Sequence, residues 1–426
     1  MCWRIGFVVA AMVTGTSAAD IDSISLLARV QSKVLASAKI IPRYVCRQTL
    51  VRQTYASRQK LRTLRKSPPA ACPSSLSESV PFDSSQPDTV VALTNGIPGY
   101  TLVSSDRANL DVMIAGGDEL FSWPGGGKFQ TNNPNDLLGG GFAGNGDFAA
   151  FIITAFTSGQ TSFEYLGPCG PSCVRYSYDV PVAVGRYVVE NPIEKVPVGY
   201  HGSIDIDPQS ADLLAATVIP TDLSKAMRTA CDVRTRMMYE RTTLNASEFT
   251  IPEAAAEEYF DADGWYFSNW IQYTGCRQYS AESTITFGDD GPAPGSEEQK
   301  PQIAEGQPRS GTTLELRLAT KLDSGLSSAG DPVEATLVRT VPASDGRSIP
   351  SGSVVRGHLS QVERTYAPKP GVRFAVRFDT IVIGGRSTPV ALVPTGKMDG
   401  RGRAVFTFSG EKVVLDSRFV SRWRVQ

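Results

Sequence analysis

The stretch YHGSIDIDPQSADLLAATV, residues 200–218, predicts a β-hairpin in the middle of the chain. Two β-prone runs, residues 200–206 and 213–218, flank Asp207-Pro208-Gln209-Ser210, a sequence typical of turns. Comparable runs recur on both sides of this hairpin, so we expect one long antiparallel sheet. Its other strands are predicted at residues 99–103, 113–115, 120–123, 162–166, 174–180, 234–243, 265–273 and 282–287.

Two helices are predicted next to this sheet. Residues 24–38 carry leucine and valine at helical spacing, and the helix ends before Pro42. Residues 147–156, DFAAFIITAF, form a second apolar run with a capping residue at its start. A sheet with a few helices makes the first domain, which we place at residues 20–288, an α+β domain.

The last part of the chain has a different composition. Residues 289–310 are rich in Pro, Gly and polar side chains and cannot bury themselves, which predicts a linker. Residues 311–426 then contain at least six short β-runs separated by turns such as Asp345-Gly346, and no cysteine. This spacing predicts a small all-β barrel or sandwich. The fold class is therefore mainly β.

The N-terminus has the pattern of a secretory signal peptide, residues 1–19. A short basic start precedes the apolar run 5–13, and small residues follow at 16–19. The apolar run is too short for a permanent membrane span, and no other segment reaches 18 consecutive apolar residues. We expect export to the periplasm or the extracellular space, with no transmembrane segment after cleavage.

Six cysteines remain after the predicted signal peptide, an even number that suits disulfides in an oxidising compartment. A zinc site is disfavoured because His201 and His358 are the only histidines and neither lies near a cysteine pair. Three residues at a hairpin tip separate Cys169 from Cys173, so these two are predicted to bond. Three pairings stay open for the other four, and we favour the first with the last. Those four are Cys46, Cys72, Cys231 and Cys276.

Charge is unevenly distributed along the chain. Residues 310–426 hold 17 Lys and Arg against 10 Asp and Glu, a net charge of +7, and the rest carries −8. Residues 43–66 contain eight basic side chains and no acid. This run either meets an anionic surface or, as we favour, packs against the acidic body of its own domain. The candidate contacts are Arg43, Arg47, Arg52, Arg58, Lys60, Arg62, Arg65 and Lys66.

Short motifs of known catalytic sites occur in the wrong context. Residues 139–144, GGGFAG, have the spacing of a dinucleotide loop but follow polar residues instead of a strand. Residues 123–129 lack the Ser or Thr of a phosphate loop. We assign no catalytic residue, cofactor or metal ligand and expect a non-enzymatic protein. A carboxylate pair that cleaves glycans leaves no local motif, so an envelope hydrolase is the alternative.

Several segments of the first domain resemble other exported bacterial domains. They are IPRYVC at 41–46, GSIDIDPQSADLL at 202–214, FTIP at 249–252 and CRQYSAES at 276–283. The hairpin is also similar to one in the LolA and RseB group of periplasmic lipoprotein carriers and envelope-stress sensors. The resemblance covers roughly residues 40–288. It implies a curved, half-open antiparallel barrel around helices, whose concave apolar face holds acyl chains.

The second domain resembles a different family. GDPVEATL at 330–337 and IPSGSVVRG at 349–357 look like the β-barrel domain of TrbI-type proteins from conjugation and type IV secretion channels. In the second motif Pro350 starts a turn and Gly352 relaxes its backbone before the next strand. The membrane-spanning insertion of such channel proteins has no counterpart here, so the resemblance implies an assembly or binding module.

These observations predict a cell-envelope protein that binds rather than catalyses. A lipid or lipoprotein would occupy the first domain, and an envelope protein would contact the basic second domain. No nucleic-acid partner is expected. Besides the hydrolase, a purely structural envelope scaffold is an alternative, and it would show exposed apolar patches without a pocket.

Overall fold

The structure is a computed structural model that describes residues 22–62, 99–115, 118–126, 128–139, 148–190, 194–279, 306–399 and 403–426. We call its part up to residue 279 the first region and residues 306–426 the second region. The predicted signal peptide, the predicted strand at 282–287 and most of the predicted linker lie outside the described residues. Among the helices of the described segments, none is long and apolar enough to cross a membrane.

Strands dominate both regions, which confirms the mainly β prediction. The helices are α1 (Ser23–Ile40), α2 (Arg58–Arg62), α3 (Pro134–Leu138), α4 (Phe148–Thr157), α5 (Val182–Gly185) and α6 (Leu223–Ala226). The first-region strands are β1 (Tyr44–Ser57), β2 (Tyr100–Ala115), β3 (Asp118–Ser122), β4 (Ser162–Gly170), β5 (Cys173–Val180), β6 (Tyr187–Glu190), β7 (Lys195–Val198), β8 (Tyr200–Ile206), β9 (Leu213–Pro220), β10 (Ala230–Leu244), β11 (Ser247–Asp261) and β12 (Trp265–Gln278). The second-region strands are β13 (Thr313–Leu318), β14 (Leu322–Asp323), β15 (Pro332–Leu337), β16 (Val341–Pro342), β17 (Ser348–Ile349), β18 (Val354–Thr365), β19 (Gly371–Ile383), β20 (Arg386–Pro389), β21 (Leu392–Pro394), β22 (Ala404–Ser409), β23 (Val414–Leu415) and β24 (Val420–Val425).

The first region is built on one antiparallel sheet that does not close into a barrel. Its strands pair in the order β4-β5-β8-β9-β10-β11-β12-β1-β2-β3. The hairpin predicted at residues 200–218 is β8 and β9, joined by the predicted turn. β6 and β7 form a separate two-stranded sheet.

Two helices cover one face of this sheet, which we call the inner face. Leu26 and Val30 of α1 are buried in the same core as Ile152 and Phe156 of α4. The sheet contributes several buried tyrosines to that core, among them Tyr200, whose hydroxyl donates to the α4 carbonyl of Phe151. Helix side chains therefore occupy the inner face, where the LolA resemblance places acyl chains.

β2 is one long strand, whereas separate strands were predicted at residues 99–103 and 113–115. The polar residues between those two runs hid its continuity. Asp106 lies in this polar stretch and pairs across the sheet with Arg52, which donates two hydrogen bonds of 2.7 Å to its carboxylate. The polar pattern reflects a buried ion pair rather than a break in the strand.

The second region is a smaller antiparallel sheet around its own core. Its strands pair in the order β22-β19-β18-β15-β13-β24-β21, and β20 pairs with the far end of β19. Trp423, Phe374 and Leu314 are almost fully buried inside it. Residues 306–310, the end of the predicted linker, lie against this region, because the amide of Ser344 donates to the carbonyl of Gln307.

The two regions share one sheet. β2 of the first region pairs with β18 of the second, with Asp106 opposite Glu363 and Ser105 opposite Arg364. Residues 323–331, the junction loop, add a second connection. Within it, Ala329 exchanges backbone hydrogen bonds with Arg107 and Asn109 on β2 at 2.8 and 2.7 Å.

Candidate functional site

A groove of about 760 Å³ opens on one side of the second region. We call it the seam groove, because it lies where neighbouring strands fail to pair. β22 pairs with β19 up to Val376, and β20 takes over from Thr380. Among the described residues, Arg377 and Phe378 have no strand partner on this side. β21, across the groove, pairs with β24 alone within the described ladders.

The floor and one wall of the seam groove are apolar. Val376, Phe378 and Trp423 belong to the core of the second region and also line the groove. The rings of Phe378 and Trp423 meet edge to face with centroids 5.0 Å apart. Half-buried Val390 and Leu392 form the wall opposite β19. A ligand in the groove therefore contacts side chains of the hydrophobic core directly.

The segment 386–394 explains why the groove exists. The structure divides this segment into two strands, β20 and β21. β20 continues the β19 hairpin, whereas β21 has crossed to β24. Proline at 389 and 394 lacks a backbone N–H, which suits strand ends at an open edge. The groove lies where the chain crosses from β19 to β24.

Charged side chains stand at the rim of the seam groove. Arg377 is exposed and forms no ion pair in the part of the chain that the structure describes. Arg403 is held by Asp399, with Nε 2.6 Å from the carboxylate. Contact with His358 lowers the pKa of Asp379, and the hydroxyl of Thr380 adds to this effect. Arg377 is therefore an exposed cation at the rim, and its charge is partly offset by Asp379.

The predicted basic run is largely engaged within the molecule. Arg47 pairs with Asp111 at 2.7 Å, and Arg52 is buried against Asp106. Lys60 lies 3.7 Å from Asp263 and above the Trp265 ring. Arg52 therefore offers no charge to an external surface.

The remaining members of the basic run have different positions. Arg43 and Arg58 are exposed, while Arg65 and Lys66 lie outside the described residues. The backbone of Arg62 closes α2, and its side chain is not among the described ones. Of the five side chains of the run that the structure describes, three are engaged in ion pairs and the other two are exposed.

The two predicted disulfides, Cys169–Cys173 and Cys46–Cys276, are both present. Cys169 and Cys173 are bonded at the β4–β5 turn, with their Cα atoms 5.0 Å apart. Cys46 and Cys276 link β1 to β12 with Cα atoms 4.1 Å apart, across 230 positions in sequence. Cys231 is also disulfide-bonded, and Cys72 lies outside the described residues.

Cys169, Cys173 and Asp205 lie close enough to suggest a metal centre, with ligand atoms within 4.8 Å of one another. The arrangement does not suit a metal, because the two sulfurs are bonded to each other and a metal ligand must be a thiolate. Arg175 and Arg236 already satisfy the Asp205 carboxylate with hydrogen bonds of 2.6 to 3.0 Å.

The glycine-rich motif at residues 139–144 lies almost entirely outside the described residues. Gly139 ends α3 in a left-handed conformation, and residues 140–144 lie outside the described segments. His201 lies on β8 and His358 on β18, in different regions. The seam groove was not predicted from the sequence, because its walls come from segments that lie far apart in the chain. The prolines at 389 and 394 are the one local signal of an open edge.

No known protein-family model, curated protein or solved structure matches this chain.

Proposed function

We propose that this protein is a non-enzymatic binding protein that holds an anionic amphiphile, an acyl chain with an acidic headgroup, in the seam groove. The observation that carries this proposal is the groove of about 760 Å³, which has apolar side chains along its floor and an exposed arginine, Arg377, beside Asp379 at its rim. Its volume lies within the range of ligand pockets in proteins. The proposal keeps the lipid ligand expected from the sequence but places it in the second region.

The apolar lining selects the chain of such a ligand. Val376, Phe378, Val390 and Leu392 contribute apolar side chains to the lining of the groove. Burial of methylene groups against such a surface contributes about 0.8 kcal/mol each before the entropy cost of binding. A small polar metabolite gains nothing comparable here.

The rim selects the headgroup. Arg377 lies beside the apolar floor and has no internal counter-charge within 4 Å in the described residues. The second region carries a net charge of +7 over residues 310–426, which attracts an anion over a longer range. A guanidinium binds carboxylate or phosphate oxygens with two parallel hydrogen bonds. An acidic headgroup is therefore favoured over a neutral or cationic one.

The first region offers less support for the same ligand. Its inner face is filled by α1 and α4, and Val30 of α1 is fully buried there. An acyl chain on that face would have to displace a helix. Lipid binding by the first region stays a prediction from resemblance.

Displacement of a fluorescent fatty acid tests the proposal. The oxidised protein is titrated with the probe, and phosphatidylglycerol or phosphatidylcholine then competes. Phosphatidylglycerol should displace the probe at lower concentration. Leu392→Glu, which puts a like charge on the groove wall, should weaken probe binding by about tenfold or more. Val414→Glu is the matched control, because Val414 is 43% exposed in the same region and does not line the groove.

Two outcomes contradict the proposal. In the first, the probe does not bind to the folded protein. In the second, Leu392→Glu and Val414→Glu bind it equally well. Loss of the phosphatidylglycerol preference in Arg377→Gln, with probe binding retained, would assign the headgroup contact to Arg377.

A further inference from the structure

The outer face of the first-region sheet carries a second, polar cavity of about 310 Å³. Three adjacent strands, β2, β1 and β12, form its floor. Arg107, Val51 and Trp270 lie side by side in one row across these strands. Asn109, Thr49 and Gln272 form the next row on the same face.

The junction loop supplies the wall of this cavity and is fixed to the floor. Asn109 donates from Nδ2 to Asp331 at 3.1 Å and accepts from the Thr49 hydroxyl at 3.0 Å. The other Asp331 oxygen accepts from the backbone N–H of Ser328 at 2.7 Å. The Asp331 carboxylate therefore bridges the loop and the floor, lines the cavity, and holds the wall in place without a ligand.

Two floor side chains keep unused hydrogen-bonding capacity. Arg107 forms no ion pair, and Gln272 no side-chain hydrogen bond, within the described part of the chain. Both side chains are half-buried, so each has lost part of its hydration. Half-buried Trp270 provides an aromatic surface beside Gln272 on β12, and it also packs against the buried cluster of Ala215, Met238 and Ala254. The cavity thus combines a cation, an amide and an aromatic ring.

We propose that this cavity binds one unit of an acidic saccharide, a sugar ring that carries a carboxylate. The guanidinium of Arg107 would accommodate the carboxylate as a two-point hydrogen-bonded pair. Gln272 and the Thr49 hydroxyl would bind sugar hydroxyls, and the ring of Trp270 would pack against the C–H face of the sugar. A cavity of about 310 Å³ holds a single ring, with the chain continuing over the open sheet face.

This ligand differs in class from the amphiphile of the seam groove. The cavity lining is mainly polar, so an acyl chain would leave Arg107 and Gln272 desolvated without partners. A neutral sugar would leave Arg107 unpaired. The carboxylate is therefore the group that distinguishes the proposed ligand from other saccharides.

Calorimetric titration of the full oxidised protein tests this inference. The probes are a galacturonic acid trisaccharide and the neutral galactose trisaccharide. Acidic trisaccharide should bind more tightly by about tenfold, with an affinity that falls as salt rises. Arg107→Gln should remove this preference. Arg277→Gln is the matched control, an exposed arginine on β12 outside the cavity.

Each result bears on the inference. Equal affinity for the two trisaccharides, absence of binding at millimolar concentration, or an unchanged titration of Arg107→Gln would overturn it. Thermal melting of Arg107→Gln verifies that this variant is folded, and Arg107→Lys should retain part of the preference because it keeps the charge. Leu392→Glu should bind the acidic trisaccharide normally, which separates this site from the seam groove.

Discussion

The inner face of the first region and the seam groove of the second are both apolar surfaces of antiparallel sheets, yet only one is open. α1 and α4 bury the first, with Val30 and Ile152 packed into its core. In the second region, the described strands leave the edge between β19 and β21 without a cover. The difference shows that a sheet surface offers a site only where the chain does not supply its own covering element.

The two regions are also stabilised differently. The first region contains the disulfides and many buried tyrosines, such as Tyr178 and Tyr200. The second region has no cysteine and relies on aliphatic packing around Trp423. Covalent links and phenol hydrogen bonds make the first region sensitive to redox state and alkaline pH. The following predictions test that contrast.

The largest expected effect is the loss of the Cys46–Cys276 disulfide. It closes a loop of 230 positions, and loop entropy predicts a cost of about 5 kcal/mol in the free energy of unfolding when both residues become Ala. Cys169→Ala with Cys173→Ala opens a loop of only four positions and should cost about 2 kcal/mol. Denaturant titration measures both. A larger effect from the short loop would contradict the entropic account.

A smaller effect is expected where the two regions meet. Gly330 has a φ of +91°, and a Cβ there would overlap the carbonyl oxygen of Asn109. Gly330→Ala should therefore cost roughly 2–3 kcal/mol, from backbone strain and displacement of the junction loop. Gly346→Ala is the control, with a φ of +82° and open space around it, and should cost about 1 kcal/mol. Equal melting temperatures for the two variants would show that the loop does not depend on this close approach.

Alkaline pH should destabilise the first region first. Burial raises the pKa of Tyr176 and of Tyr200 to about 12. An unfolded tyrosine ionises near pH 10, so the folded form is favoured while both tyrosines are protonated. This stabilisation is complete below pH 10 and is lost as the pH rises towards about 12. Titration of the tyrosinate absorbance should show cooperative ionisation above pH ~10.

Tyr279 provides the control for that titration, because it is 36% exposed just after β12. Tyr279→Phe should leave the cooperative step unchanged, since the step reports on the buried tyrosines of the first region. Limited proteolysis at the same pH values should cleave the first region before the second. Simultaneous cleavage of both regions would show that they unfold as one unit.

The smallest effect on stability is expected at the seam groove. Leu392→Glu alters a half-buried wall residue at an open edge and should change the free energy of unfolding by about 0.5–1 kcal/mol. Leu110 lies on the inner face with no exposure, and Leu110→Glu should cost several times more. Chemical denaturation of the two variants therefore compares an open sheet surface with a covered one. Equal costs would indicate that the groove is part of a closed core.

Local patterns were sufficient to predict much of the fold. The helix predicted at residues 24–38 corresponds to α1, and that at 147–156 to α4. The hairpins at Cys169–Cys173 and Asp207–Ser210 also lie where turn residues predicted them. In each case the interactions that determine the element lie within about 20 residues of sequence. Hydrophobic periodicity and turn residues are therefore sufficient to predict it.

Long-range context decided the elements that sequence reasoning missed. β11 contains Glu253-Ala254-Ala255-Ala256-Glu257, residues that favour a helix, yet β10 and β12 on either side hold it as a strand. Arg52 was a candidate for anionic-surface contacts in a run that we favoured as packed against its own domain, and its partner could not be named because Asp106 lies on another strand. The seam groove depends in the same way on where residues 386–394 cross between strands.

Native mass spectrometry of the oxidised protein, purified gently without added lipid, tests the central claim most directly. The seam groove should retain an anionic amphiphile, so the spectrum should show a lipid-sized mass that is released on unfolding. The same mass should be absent from Leu392→Glu and present in Val414→Glu. A ligand-free spectrum for the unsubstituted protein, unchanged after incubation with phosphatidylglycerol, would contradict the account.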